Sequence, residues 1–412
     1  AAARSRAMRS PAAPAASANL AVEAAGIYAD FSRQPLSNDV RAALIQLCRE
    51  QGLEARRDAM FAGQAINTTE NRPVLHAALR SRLGLTVDGR DVDADVAAQL
   101  QRMRAFVERV RDGHIRSVTE QKFTDVVSIG IGGSSLGPQL VCTALASTAD
   151  GPAVHFVSNI DGAHLADTLA RLNPATTLVL VMSKTFTTDE TMTNANSAKA
   201  WLAGKLGEDA FAAHFVAITA NPAQAQKVGY APERTFEFWN WVGGRYSLWS
   251  TVGMPVALAG GYEAFAQVLA GAAAMDEHFR NAPLEANLPV ALATVGVLNR
   301  NFHHMGTHAV LPYAQRIALL PKYLQQLEME SNGKCVDLQG QRVNYATGPV
   351  IFGEPGTDGQ HSFHQLLHQG TDRISVDIIA VAKDTSALPG HHAKLLANAI
   401  AQADAMWTGS TS

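Results

Sequence analysis

Four short apolar runs dominate the middle of the chain: DVVSIGIGG from Asp125, AVHFVSNIDG from Ala153, TTLVLVMSKT from Thr176 and HFVAITAN from His214. Each is closed by small or polar residues and followed by a stretch with helical periodicity. Strands that read as unbroken apolar runs are buried on both faces, and intervening helices supply the cover, so the pattern predicts a parallel sheet in an α/β sandwich. A second alternating unit begins near residue 286 with NLPVALATVGVLNRNFHHMGTHAVLPYA, which reads as largely helical, and continues through GPVIFGE and SVDIIAVAK. Ahead of both, residues 37–61 show apolar residues at helical spacing behind Ser37 or Asn38 as N-cap, and residues 91–113 read as a second amphipathic helix with a glycine stop. The expectation is an α/β chain of two tandem α-β-α sandwich domains with mainly parallel sheets. The boundaries read as a tail over 1–19, a helical segment over 20–115, and sandwich domains over 116–285 and 286–412.

Composition excludes several function classes. With 412 residues and a net charge of -3, the chain can bury substantial cores and has no electrostatic reason to bind nucleic acid or an anionic membrane. No window approaches the run of about 18 apolar residues that a membrane span requires. The three cysteines, Cys48, Cys142 and Cys335, lie far apart and lack C-x-x-C spacing, which fits free thiols in a reducing compartment and a cytoplasmic location. Residues 1–19 are Ala-, Pro- and Arg-rich without an acid, which reads as a disordered tail with a loose likeness to an organelle transit peptide.

In a doubly wound sheet the ligand crevice lies beyond the carboxyl ends of the strands. The first such turn holds Gly130, Gly132, Gly133, Ser134 and Ser135, whose backbone amides can approach an anion or can serve only tight packing. Its spacing is not G-x-G-x-x-G, and no G-x-x-x-x-G-K-[ST] occurs; Asp161 after the next run is a rival ribose-binding acid. After the third run, Ser183, Lys184, Thr185, Thr187 and Thr188 gather hydroxyls and an ammonium where Asp189 begins a helix. That donor set suits a phosphate monoester; ordinary helix capping is the plainer alternative. Further on, His361, His364 and His368 would share one face if GQHSFHQLLHQG were helical, an arrangement that invites a zinc reading without the accompanying motif.

Six stretches taken together resemble the glucose-6-phosphate isomerase family: FAGQAINTTENRPVLHAALR at 61–80, GIGGSSLGP at 130–138, SKTFTTDETMTNA at 183–195, WNWVGGRYSLWS at 239–250, QQLEMESNGK at 325–334 and GEPGTDGQHSFHQLLHQGT at 353–371. The resemblance implies two sandwich domains of the sugar-isomerase type. It also implies interconversion of glucose 6-phosphate and fructose 6-phosphate through a cis-enediol, as in glycolysis and gluconeogenesis, with no cofactor and no metal. Gly133, Ser134, Ser183, Thr185 and Thr188 then bind the substrate phosphate, Lys184 is a further substrate-binding residue, and Gln326 binds a sugar hydroxyl. Glu330 matches the family's base, Arg245 its enediolate-stabilising cation, and His361 the histidine that assists ring opening from the neighbouring subunit of a homodimer. Family members continue past the segment matched at 391–409 into a stretch with an active-site lysine, so the second domain is expected to be incomplete at its C-terminus. A catalytically silent sugar-phosphate-binding module is the alternative, and a nicotinamide-dependent oxidoreductase is a third reading.

Overall fold

The computed structural model describes residues 20–384 and 386–409. The tail expected over 1–19 lies outside the described residues. The chain forms two compact units, one of Ala59–Ala273 and one of the residues up to Asp58 together with those from Ala274 onward.

Within Ala59–Ala273 the four apolar runs are strands β1 (Asp125–Ile129), β2 (Ala153–Val157), β3 (Thr177–Met182) and β4 (Phe215–Thr219), joined by a short β5 (Thr235–Glu237). Their spatial order is β2-β1-β3-β4-β5, and every neighbouring pair is parallel. All residues of β3 and β4 are buried. The strand period of two divides them between two cores. Leu178, Leu180 and Met182 meet Met103, Val107 and Val110 of helix Val92–Arg111 on one face. Val179 and Val181 meet Ala195, Ala198 and Leu202 of helix Asp189–Leu206 on the other. This is the double cover that the sequence pattern predicts. Helix Val92–Arg111 starts at Asp91, whose side chain accepts from the Ala94 N–H, and stops before Gly113 at φ +78°.

The other unit is built on a three-stranded parallel sheet of order β7-β6-β8, where β6 is Thr307–Tyr313, β7 is Val350–Phe352 and β8 is Ile374–Ala380. Its central strand corrects the sequence reading, which took the whole 287–314 stretch as largely helical. Helix Leu288–Val297 ends in a π-helical turn, Leu298–Phe302, and THAVLPY is extended. Pro312 hid it, because proline is unusual in a central strand. Residues 37–61 likewise form two helices rather than one, Asn38–Glu50 and Leu53–Phe61, broken at Gly52 with φ +68°. Ser37 caps the first by accepting from the Val40 N–H at 3.2 Å. Among the described residues no helix is long and apolar enough to cross a membrane.

Candidate active site

A sheet of order 2-1-3-4-5 has its topological switch between β1 and β3, and the loops leaving those two strands form the ligand crevice. Both loops are the hydroxyl-rich segments singled out in the sequence. After β1 the chain makes a tight 3-10 turn, Gly132–Ser134, before helix Leu136–Leu145. Gly133 is required by packing: a β-carbon there would overlap the Gly244 carbonyl and crowd the Arg245 nitrogen. Ser247 reinforces the junction, its hydroxyl donating to the carbonyls of Gly244 at 2.7 Å and Gly133 at 3.4 Å. The structure therefore holds the GGRYS turn, and with it Arg245, against the first loop. The Arg245 guanidinium lies 5.6 Å from the centroid of Tyr246, which stacks on His76. Ser135 is buried, and its hydroxyl has no hydrogen-bond partner among the described residues.

After β3 the loop is drawn in on itself. Ser183 is buried; its Oγ lies 3.0 Å from the Thr188 hydroxyl and accepts from the Phe186 N–H at 3.1 Å. Phe186 is buried at φ +58°, a conformation that side chains other than glycine adopt only under constraint. Thr188 occupies the N-cap of helix Asp189–Leu206 without capping it through its side chain, because its hydroxyl is turned to Ser183. The leading N–H groups of that helix receive no side-chain cap, and Thr185 and Thr187 just before it are exposed with their hydroxyls 2.8 Å apart. Lys184 points elsewhere. Its ammonium donates to the carbonyls of Asn240 at 2.9 Å and Val242 at 3.1 Å, tying this loop to the segment that leads into Arg245. Desolvation pushes the Lys184 pKa down, with Arg72 adding to the shift and Glu70 opposing it.

In the second unit Glu330 ends a π-helical turn, Gln325–Glu330, that follows helix Leu320–Leu324. Such turns replace the ordinary helical period and recur at functional sites. Gln326, one turn earlier, donates its side-chain amide to Glu330 Oε2 at 2.9 Å. Glu330 is exposed, and the ammonium of Lys334 closes the turn beneath it on the carbonyls of Glu330 at 2.7 Å and Ser331 at 2.6 Å. His361 is exposed at the end of a 3-10 turn, Asp358–His361. The sequence's shared histidine face does not form, because helix His364–Gln369 starts only after that turn. His364 and His368 both bond the side-chain oxygen of Gln402, at 3.1 and 2.8 Å. Among the described residues no group of three or more His, Cys, Asp or Glu side chains could hold a metal ion. Asp161, the rival ribose ligand, caps helix Gly162–Leu169 by accepting from the Ala163 N–H at 3.1 Å.

A model of the phosphoglucose isomerase family matches residues 30–412. The chain belongs to the phosphoglucose isomerase family. It is 51% identical over 400 residues to a glucose-6-phosphate isomerase of Cupriavidus taiwanensis, covering 95% of this chain and 73% of that one. It is 52% identical over 385 residues to a glucose-6-phosphate isomerase of Brucella ovis, covering 93% and 70%. The crystal structure of a glucose-6-phosphate isomerase from Chlamydia trachomatis superposes with a TM-score of 0.83 at 32% identity, over 94% of this chain and 75% of that chain. The residues that sequence reading missed are Ser247 and Gly244, which seat Arg245 against Gly133. Their only signal was the glycine pair and the serine that flank Arg245 and Tyr246 in GGRYS.

Proposed function

We propose that this chain is an aldose–ketose isomerase that interconverts glucose 6-phosphate and fructose 6-phosphate. The observation that carries the reading is the pair of hydroxyl-bearing loops at the switch between β1 and β3, in a chain of this family. A phosphate dianion needs several donors at once. Ser134, Ser183, Thr185 and Thr188 supply hydroxyls, Gly133 and the start of helix Asp189–Leu206 supply N–H groups, and Lys184 contributes a nearby positive charge while bracing the 240–242 segment.

In this reading His361 exchanges a proton with the ring oxygen as the C1 hydroxyl gives one up, which opens the ring. The Glu330 carboxylate removes the C2 proton, the electron pair left behind forms the C1=C2 bond, and the C1 carbonyl pair moves onto O1, which takes up a proton to give a cis-enediol. As the O2 hydroxyl then loses its proton, the carbonyl forms at C2 and the C1=C2 pair takes back the proton held by Glu330 at C1, so no oxidant or reductant is consumed. The Gln326 amide fixes the carboxylate and reaches a sugar hydroxyl, and the Arg245 fork offsets charge on the two neighbouring oxygens. The working unit is proposed to be a cytoplasmic homodimer in which His361 serves the neighbouring subunit. The silent-binder alternative is not favoured by relatives that are named isomerases at about half identity.

The test is a coupled assay of glucose 6-phosphate formed from fructose 6-phosphate, run beside a direct measurement of fructose 6-phosphate binding. Glu330→Gln should lower kcat by about 10²- to 10⁴-fold, the usual contribution of a general base, while binding persists. Undiminished turnover would remove the mechanism, and loss of binding alone would assign Glu330 to substrate capture.

A further inference from the structure

Behind the second loop, within the Ala59–Ala273 unit, lies a cavity of about 260 Å³ that the isomerase chemistry leaves unused. Its walls are apolar and largely aromatic: Phe186, Met192, Phe211 and Tyr230. The rings fix one another edge to face, Phe186 on Tyr230 at 5.1 Å and Phe211 on Tyr230 at 5.0 Å, so the walls are rigid rather than collapsible. Polar side chains complete the lining. Lys199 and Asn196 stand one helical turn apart on helix Asp189–Leu206, and Gln224 and Thr187 face the same space. The Lys199 ammonium sits 4.4 Å from the Phe211 ring centroid rather than on a carboxylate among the described residues, which leaves its N–H donors for a ligand.

We propose that this cavity binds a small organic monocarboxylate with a flat or branched apolar body. The volume equals roughly nine water molecules at about 30 Å³ each, and the lining pairs one cation with neutral amides over an aromatic floor. A phosphate dianion is a poorer match, because a single ammonium leaves most of its charge unanswered. The ligand would rest on Phe186, whose N–H is held by Ser183 Oγ at 3.1 Å. Occupancy therefore stiffens or shifts the loop that, on the reading above, grips the substrate phosphate; this coupling rests on that reading, whereas the binding site does not.

The experiment uses benzoate as probe and titration calorimetry on the full chain without substrate. Benzoate should bind at one site per chain and stay bound at saturating fructose 6-phosphate with its affinity shifted by no more than the same factor of about five that is expected in KM, and Glu330→Gln should bind it as the wild type does. Lys199→Met should weaken binding about tenfold, the worth of one charge-assisted hydrogen bond. Val228→Trp, at an exposed position on the cavity's mouth, should abolish binding with an unchanged melting temperature. No saturable heat, complete competitive displacement by fructose 6-phosphate, or wild-type affinity in both variants would overturn the site. Saturating benzoate should also change KM for fructose 6-phosphate by about fivefold with kcat kept, a typical coupling between two sites, and an unaltered KM would sever the site from the loop.

Discussion

The two sheets of this chain are built to different specifications. In β3 and β4 every residue is buried, whereas β8 is mostly half-buried, and β7 leaves Val350 53% exposed. The Ala59–Ala273 unit carries its cores on both faces of the sheet. In the other unit the buried set around the sheet is smaller, Ala309, Leu311, Tyr313 and Ala399. The difference parallels the division of labour proposed for the site. On that proposal the better-buried unit carries the loops that hold a charged group in a fixed place, and the more open unit carries Glu330 and His361, exposed side chains that reach the reacting carbon and exchange protons.

The largest effects should come from exchanging these roles by mutation. Ser183→Ala and Thr188→Ala should raise KM by about 10- to 100-fold each, because a charge-assisted hydrogen bond is lost in ground and transition state alike, with kcat changed far less. Glu330→Gln should show the reverse split. A pair of variants in which both units moved KM and kcat together would break the comparison.

Next in size are the packing differences. Leu180→Ala, at a fully buried position of β3, should cost about 2–5 kcal/mol by cavity formation. Ile378→Ala in β8 should cost roughly 1–2 kcal/mol, because part of that side chain already meets solvent. Hydrogen exchange read separately on the two strands under mild denaturant would check this, and equal losses would contradict it. Gly133→Ala should cost about 1–3 kcal/mol through overlap with the Gly244 backbone and should loosen Arg245 as well, seen as a fall in kcat beside the lower stability.

The smallest expected effect is also the most diagnostic, since it has opposite signs in the two units. His214 is buried neutral, accepting from the Val118 N–H at Nε2 and donating from Nδ1 to the Thr177 carbonyl at 2.7 Å. Burial pushes its pKa down, partly opposed by the Thr177 bond. The unfolded chain therefore binds a proton that the folded one refuses, so this stability is full above about pH 6.5 and is lost as pH falls from there. At His308 burial also pulls down, but the Asp377 carboxylate 3.1 Å away, with Glu328 beyond it, outweighs it and the pKa stands raised. That stability is present below about pH 6.5 and is lost as pH climbs through the higher folded value. Asp377→Asn should accordingly cost about 1 kcal/mol near pH 5.5 and less near pH 8, read from denaturant midpoints. An equal cost at both pH values would show that His308 titrates as it does in water.

The better-buried unit was also the more legible. Unbroken apolar runs announced β1 to β4, and Ser183 and Thr188 stood where the strand grammar ended. The three-residue β5 was too short to show any period, and β6 was masked by Pro312 and by a helix that runs almost into it. Glu330 could be singled out only through a ten-residue resemblance, since a lone acid on a helical turn is ordinarily a solvated charge. The π-helical turn that presents it has no sequence signature of its own. Lys184 was legible as a cation near the loop, but not as one committed to two backbone carbonyls, because those partners lie 56 and 58 residues on, at Asn240 and Val242.

The most direct test of proton transfer by Glu330 is to run the isomerisation of glucose 6-phosphate in heavy water and read the C1 hydrogens of the fructose 6-phosphate by proton NMR. The account predicts partial wash-in of solvent deuterium at C1 in the wild type and almost no product from Glu330→Gln. Full retention of the original C2 hydrogen in every turnover, or deuterium-bearing product from Glu330→Gln at the wild-type rate, would contradict it.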